Sequence, residues 1–123
     1  MTTQGTCLCG AVSYGAKADC APPVACHCGQ CRRQSGHIWA SAQVPADGLV
    51  IEGRVTWYEN SPGVRRGFCP VCGSVLFWRR RGEEAVSVSA GSLDASEGLR
   101  LARHIHTADA GDCYEIGDGL RRS

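Results

Sequence analysis

The sequence lacks the features that mark membrane proteins, secreted proteins and dedicated nucleic-acid binders. No apolar run approaches the roughly 18 residues that a membrane-spanning helix requires. The first residues carry neither the basic segment nor the apolar stretch of a signal peptide, so we expect a cytoplasmic protein. The formal net charge is +1, which is too weak a field for a dedicated nucleic-acid-binding domain. We therefore expect neither a membrane nor a nucleic acid as its partner.

Aromatic residues (7%) and helical periodicity are also scarce, whereas glycine is abundant at 16 of 123 residues, which favours turns over long helices. The chain length suits one domain spanning residues 1–123. Helices are predicted only near residues 30–34 and 94–98, with Asp94 capping the second. Alternating apolar residues predict strands near 11–15, 38–44, 49–52, 55–58, 75–78 and 85–90. We expect an all-β fold of short antiparallel strands.

Nine cysteines stand out against this background, and seven of them fall into three clusters. In a reducing compartment such a density favours metal binding over disulfides. A C-x-C pair on an extended chain directs both sulfurs to one face, and a C-x-x-C pair brings them together around a tight turn. Glycine follows each cluster's second cysteine (Gly10, Gly29, Gly73), which suits a zinc knuckle that needs a positive φ there. The clusters are Cys7-Leu8-Cys9, Cys26-His27-Cys28-Gly29-Gln30-Cys31 and Cys69-Pro70-Val71-Cys72.

The seven thiols divide most simply into a set of four and a set of three. Zinc takes four ligands in a closed structural site, whereas a catalytic site keeps one position open. Two pairs that are distant in sequence suit the closed site, which would join two hairpins: Cys7/Cys9 and Cys69/Cys72. The compact third cluster then forms the open, catalytic site: Cys26, Cys28 and Cys31. The alternative for this second site is another structural zinc, completed by Cys20 or by a histidine.

Other polar residues near the clusters are weaker candidates. Arg32 and Arg33 follow Cys31 directly; they either bind a carboxylate of a thiol cofactor beside the metal or are simply solvated. His27 lies between two ligands, so alternation directs it away from the metal. His37 is a candidate proton shuttle or a surface residue, and His104 and His106 share one face of a predicted strand.

Blocks of sequence around the cysteines resemble a known family over nearly the whole chain. They are Gly5-Thr6-Cys7-Leu8-Cys9-Gly10-Ala11-Val12-Ser13-Tyr14, Cys26 to Arg33 with Ser35-Gly36, Gly67 to Ser74, Ala90 to Asp94, and His104-Ile105. Together they resemble the glutathione-dependent formaldehyde-activating enzymes, a family that shares its domain with centromere protein V. The tail departs from the family pattern, because Ala102-Arg103 stand where a proline is usual and Cys113 stands near the place of a tryptophan.

The resemblance implies a β-tent fold, in which small sheets lean together around a four-cysteine zinc. It implies structural Zn²⁺ at the closed site and catalytic Zn²⁺ at the open one, and we expect the second ion to be more easily stripped. Family members are carbon–sulfur lyases that act on S-hydroxymethylglutathione. The resemblance therefore implies a zinc-dependent lyase with glutathione or a similar small thiol as co-substrate. The ligands it implies are Cys7, Cys9, Cys69 and Cys72 for the first ion, and Cys26, Cys28 and Cys31 for the second.

Three other hypotheses rank lower. The first is a non-catalytic zinc-stapled module that binds nucleic acid or protein through its arginine clusters, and a homo-oligomer is compatible with either function. The second is a dithiol redox role for Cys69 and Cys72, which normally requires an α/β context. The third is a methionine sulfoxide reductase of the B type, which needs two C-x-x-C zinc pairs. The arginine clusters are Arg65-Arg66, Arg79-Arg80-Arg81 and Arg121-Arg122.

Overall fold

The computed structural model describes residues 2–123, which form two β-sheets, one short α-helix and two 3₁₀ turns. No helix in this part of the chain is both long and apolar enough to cross a membrane. The 3₁₀ turns are Ala90–Ser92 and Thr107–Asp109. The other elements are β1 (Thr3–Thr6), β2 (Ser13–Ala16), β3 (Val24–Cys26), α1 (Gly29–Ser35), β4 (Trp39–Pro45), β5 (Val50–Glu52), β6 (Thr56–Ser61), β7 (Val64–Phe68), β8 (Val75–Arg80), β9 (Ala85–Ser89), β10 (Arg103–Ile105) and β11 (Arg121–Arg122).

The two sheets are unequal in size. The smaller has the strand order β1-β2-β5 and is antiparallel throughout. The larger has eight strands in the order β11-β10-β3-β4-β9-β8-β7-β6. Within it, β10 runs parallel to both β3 and β11, so the prediction of purely antiparallel sheets is wrong for these pairs. A parallel pair needs a long crossover, and the chain between β3 and β10 supplies one.

The sheets share a core that places the cysteines. Tyr14 of the smaller sheet meets Phe77 of the larger one edge to face, with ring centroids 5.2 Å apart, a favoured geometry for aromatic pairs. Cys7 and Cys69 belong to this main apolar cluster. A second cluster contains three buried residues, Cys26, Cys31 and Trp39, with Val75, Trp78 and Ile105 packed against it. Each set of cysteines is therefore anchored in its own apolar cluster.

The six predicted strands and the helix near residues 30–34 are confirmed to within two or three residues at most ends. The helix predicted at 94–98 is wrong, because the chain makes its 3₁₀ turn before that segment. Asp94 consequently caps no helix; its carboxylate accepts a hydrogen bond of 2.8 Å from the Thr6 hydroxyl. Four strands were missed (β1, β3, β7 and β11), of which three have three residues or fewer or carry adjacent arginines.

We expect Gly5→Ala to destabilise the protein, because a Cβ at Gly5 would overlap the ring of Tyr14 on the paired strand. The ring is held by a 2.6 Å hydrogen bond between its hydroxyl and Ser92, so it has little freedom to move. Overpacking of this kind costs about 1–3 kcal/mol. Gly91→Ala is the matched control, since a Cβ there meets nothing within 4 Å. Equal denaturation midpoints for the two variants would contradict this account.

Candidate metal centres

Four cysteine sulfurs from two distant hairpins converge at the first candidate centre. Cys7 and Cys9 follow β1, and Cys69 and Cys72 lie between β7 and β8; all four sulfurs are within 4.8 Å of one another. The Cys7 and Cys9 sulfurs are 3.7 Å apart, and the Cys9 and Cys69 sulfurs are 3.8 Å apart. Zinc–sulfur bonds of about 2.3 Å in a tetrahedron place the sulfurs about 3.8 Å apart. The donor set and its spacing therefore fit a four-cysteine zinc.

Local turn geometry directs these sulfurs inward. Gly10 and Gly73 adopt φ values of 83° and 78°, a region that favours glycine, and this confirms the predicted knuckle turns. The Val12 N–H donates to the Cys7 sulfur at 3.3 Å. Hydrogen bonds from the Ser74 hydroxyl and backbone lower the pKa of Cys72 to about 5, because they favour its charged thiolate. The thiolate is thus favoured at Cys72, whereas the pKa of Cys9 is raised to about 11, because a hydrogen bond from the Ala11 N–H, which lowers it, is outweighed by burial and the neighbouring thiols.

The second candidate centre lies where β3 leads into α1. Cys26 ends the strand, the Cys28 sulfur caps the helix by accepting from the Cys31 N–H at 3.3 Å, and Cys31 is buried in the first turn. The three sulfurs lie within 4.8 Å of one another. Gly29 begins the helix and has no positive φ, so the knuckle geometry predicted after Cys28 is wrong. A helix cap takes its place.

Within residues 2–123, no fourth histidine, cysteine or carboxylate joins the second set. Cys20 packs against the main core instead, and the His27 ring nitrogens bond to Tyr114 and His104. A hydrogen bond from Cys31 lowers the pKa of Cys26 and raises that of Cys31 itself. The three thiols therefore already interact, and their donor chemistry fits zinc with one position left for another ligand.

A chain of hydrogen bonds lies behind the second centre. The Tyr114 hydroxyl is 2.6 Å from His27 Nδ1, His27 Nε2 is 2.8 Å from His104 Nδ1, and His104 Nε2 is 2.7 Å from Asp118 Oδ2. We assign both rings as neutral Nε2–H tautomers, because an ionised Asp118 accepts from His104, which accepts from His27, which accepts from Tyr114. Burial and the neighbouring His104 lower the pKa of His27, consistent with its neutral form. The chain joins the C-terminal segment to the loop between Cys26 and Cys28.

The predicted arginines lie at the exposed side of α1. Arg32 and Arg33 border a groove of about 250 Å³ that is also lined by His37, Gly111 and Tyr114. The guanidinium of Arg32 extends back along the helix, since its Nη2 would be 3.9 Å from a Cβ placed on Gly29. Arg32 therefore reaches toward the N-terminal end of α1, and neither arginine forms an ion pair within the described chain.

The remaining histidine predictions have mixed outcomes. His37 is exposed, and its ring is nearly perpendicular to that of Tyr114 at a centroid distance of 4.6 Å. His106 adopts a left-handed φ of 55° after β10, so it does not share a strand face with the buried His104 and that prediction is wrong. Tyr114 is the residue that the sequence analysis missed here; it lies one residue after Cys113.

Arg66 is a second residue that the sequence analysis missed, having been counted as part of a surface cluster. Its side chain is 4% exposed, and its Nη1 lies 3.9 Å from the Cys31 sulfur. Arg65, the next residue, is exposed and lies over the Trp57 ring at 4.8 Å. Strand alternation between Val64, Arg65 and Arg66 was the available signal. The Arg65-Arg66 pair therefore does not form one basic surface.

The fold and the two thiol sets define a mostly β protein with two candidate metal centres. Residues 2–109 match the family described as glutathione-dependent formaldehyde-activating enzyme. The match covers most of the sequence, so the chain belongs to this family, and the resemblance noted from the cysteine blocks is confirmed. The family description indicates an enzyme that acts with glutathione on formaldehyde.

Comparison with solved structures gives a similar protein of Rhodobacter sphaeroides, determined by crystallography in a structural genomics programme. It is 30% identical with a TM-score of 0.60, over 79% of this chain and 90% of that one. No curated protein matches the sequence. The similar structure supports the fold, while the chemistry rests on the site itself and on the family.

We expect Tyr114→Phe to destabilise the protein, because it removes the donor to His27 Nδ1 and leaves a buried acceptor unsatisfied. Such a loss costs about 1–3 kcal/mol. Tyr58→Phe is the control, since Tyr58 is 61% exposed. The measurement is denaturant unfolding of both variants at equal zinc occupancy. Unchanged stability in the Tyr114 variant would show that the hydrogen-bond chain from Tyr114 to Asp118 does not fix the C-terminal segment.

Proposed function

We propose that the protein is a zinc-dependent carbon–sulfur lyase that acts on a thiol adduct such as S-hydroxymethylglutathione at the three-cysteine centre. The observation that carries this proposal is the set of three converging sulfurs, to which no fourth donor is added within residues 2–123. A structural site closes with four protein ligands, whereas a catalytic one leaves a position free. Membership of the formaldehyde-activating family supports the same reaction.

Cys26, Cys28 and Cys31 would hold zinc, which when bound would supply a thiophilic Lewis acid able to stabilise the adduct's sulfur as a leaving thiolate. In the cleavage of the carbon–sulfur bond the hydroxyl of the adduct gives its proton to water, formaldehyde is released, and the pair of electrons of that bond stays on sulfur as a thiolate. The protein's own residues orient the adduct. Burial of Cys26 and Cys31 in an apolar cluster limits water on the inner side of the centre.

The groove beside α1 suits the remainder of a glutathione-like thiol. Arg32 and Arg33 offer two positive charges to this groove, on the helix that Cys28 caps. Arginine binds carboxylates through paired, charge-assisted hydrogen bonds, and glutathione carries two carboxylates. We assign these two arginines to carboxylate binding, so that the sulfur is delivered to the metal while the peptide lies along the groove.

The first centre has a structural role in this proposal. Cys7, Cys9, Cys69 and Cys72 would complete a closed zinc site that holds the smaller sheet against the larger one, which corresponds to the β-tent arrangement. A closed site has no position for a substrate. We therefore expect two zinc ions per chain, with the ion at the three-cysteine centre removed first by a chelator.

Cys28→Ser tests the catalytic assignment with little risk to the fold. Serine is itself a favoured helix cap, so it can replace the cap on the Cys31 N–H while removing one thiolate. We expect turnover of the glutathione–formaldehyde adduct to fall to the spontaneous rate, and zinc to fall from two ions to one. Cys20→Ser, outside both sulfur sets, is the control. Full activity in the Cys28 variant, or one tightly held zinc in the unaltered protein, would contradict the proposal.

Arg32→Ala tests the carboxylate assignment. We expect KM for the glutathione–formaldehyde adduct to rise by about tenfold with kcat little changed, because the lost charge-assisted contact stabilises the bound substrate and the transition state equally. With a small thiol that has no carboxylate, the same variant should behave as the unaltered protein. Arg100→Ala, which changes an exposed arginine away from the groove, is the control. An equal effect on both thiols would indicate a general effect on the centre.

A further inference from the structure

Arg66 is a buried charge whose partner is not obvious. It lies on β7, with its side chain 4% exposed, while Arg65 and the Trp57 ring under it lie on the other face. Burial of an arginine is costly unless its charge is balanced and its donors are bonded. A buried Arg66 therefore indicates that a negative charge lies close to its guanidinium.

The guanidinium reaches α1 from the strand. Nη1 donates to Gln34 Oε1 at 3.0 Å, and Nη2 donates to Gln30 Oε1 at 3.1 Å. Asn60 of β6 also donates to Gln30 Oε1, at 2.9 Å. These acceptors are neutral amides, so they satisfy two hydrogen bonds without balancing the positive charge. Arg66 Nε, in addition, has no hydrogen-bond partner within the described residues.

No carboxylate in residues 2–123 lies within 4 Å of the guanidinium. The nearby group that can carry a negative charge is Cys31, whose sulfur is 3.9 Å from Nη1. A divalent ion held by three thiolates has one net negative charge. The metal-loaded three-cysteine centre therefore supplies the charge that Arg66 otherwise lacks.

We propose that Arg66 is a positioning residue that stabilises the metal-loaded three-cysteine centre by placing a buried positive charge against the Cys31 sulfur. This inference rests on the ligand set of the proposed function but not on its reaction. Gln30 and Gln34 hold the guanidinium fork toward α1, which is the helix that carries Cys31. The same positive charge favours an incoming ligand that is anionic, such as a thiolate, over a neutral one.

Metal affinity tests this role without any measurement of turnover. Cobalt(II) replaces zinc, and its thiolate absorption is titrated against a chelator; Cys28→Ser supplies the spectrum of the four-cysteine site alone. For Arg66→Met we expect affinity at the three-cysteine centre to fall by about 10- to 100-fold, as is typical when a partner of a metal ligand is removed. Affinity at the four-cysteine site should stay unchanged.

Three further variants separate charge from packing. Arg66→Lys keeps the charge but cannot fork to both glutamines, so its affinity should lie closer to that of the unaltered protein than to that of the Met variant. Arg66→Gln is a second neutral variant that retains polar contact with Gln30 and Gln34, and the same loss is expected for it. Arg65→Met, which removes the exposed neighbour, should bind both ions normally.

Several results would overturn the proposal. They are unchanged affinity at the three-cysteine centre in both neutral variants, a Lys variant as weak as the Met variant, or a parallel loss at the four-cysteine site. The experiment distinguishes a wrong assignment of Arg66 from a wrong proposed function. Two tight ions in Arg66→Met would reject the role of Arg66 alone, whereas a single ion in the unaltered protein would reject the open catalytic centre.

Discussion

The convergence of four sulfurs from two hairpins about 60 residues apart is the constraint on which this structure depends. Cys7 and Cys9 follow a strand of the smaller sheet, and Cys69 and Cys72 join two strands of the larger one. Ser74 links the two hairpins, because its hydroxyl accepts from the Leu8 N–H at 3.1 Å and contacts the Cys72 sulfur. With few aromatic residues to fill a core, a metal bridge at this point would substitute for apolar contact between the sheets.

The three-cysteine centre is organised differently, with polar support from two directions. The relay from Tyr114 through His27 and His104 to Asp118 fixes the loop between Cys26 and Cys28, and every ring nitrogen in it has a partner. Arg66 approaches the Cys31 side from β7. Precise sites need such support around their ligands. In the proposed function, the ligand approaches from the exposed side of α1, which carries Arg32 and Arg33.

Much of this was predictable from local sequence. Cysteine spacing identified both sulfur sets, since C-x-C and C-x-x-C pairs converge through backbone geometry alone, and the alternating segments identified six strands. Arg66 was not recognised because adjacent arginines suggest a solvated surface, and burial of one of them depends on which strand face meets α1. The helix predicted after Asp94 is wrong because the chain makes its 3₁₀ turn earlier, at Ala90–Ser92, and the Asp94 carboxylate instead bonds to Thr6, a residue 88 positions away in the chain.

The sequence by itself determined the donor chemistry: thiols at knuckle spacing, glycines where a positive φ is needed, and short strands between turns. These are properties of a few consecutive residues, so they do not depend on the rest of the chain. The tertiary structure decided which distant groups meet, namely the parallel placement of β10 beside β3, the pairing of His27 with His104 and Tyr114, and the burial of Arg66 against Cys31. Such contacts join residues that are 35 to 87 positions apart, and no local pattern specifies them because each depends on how the sheets fold around the core.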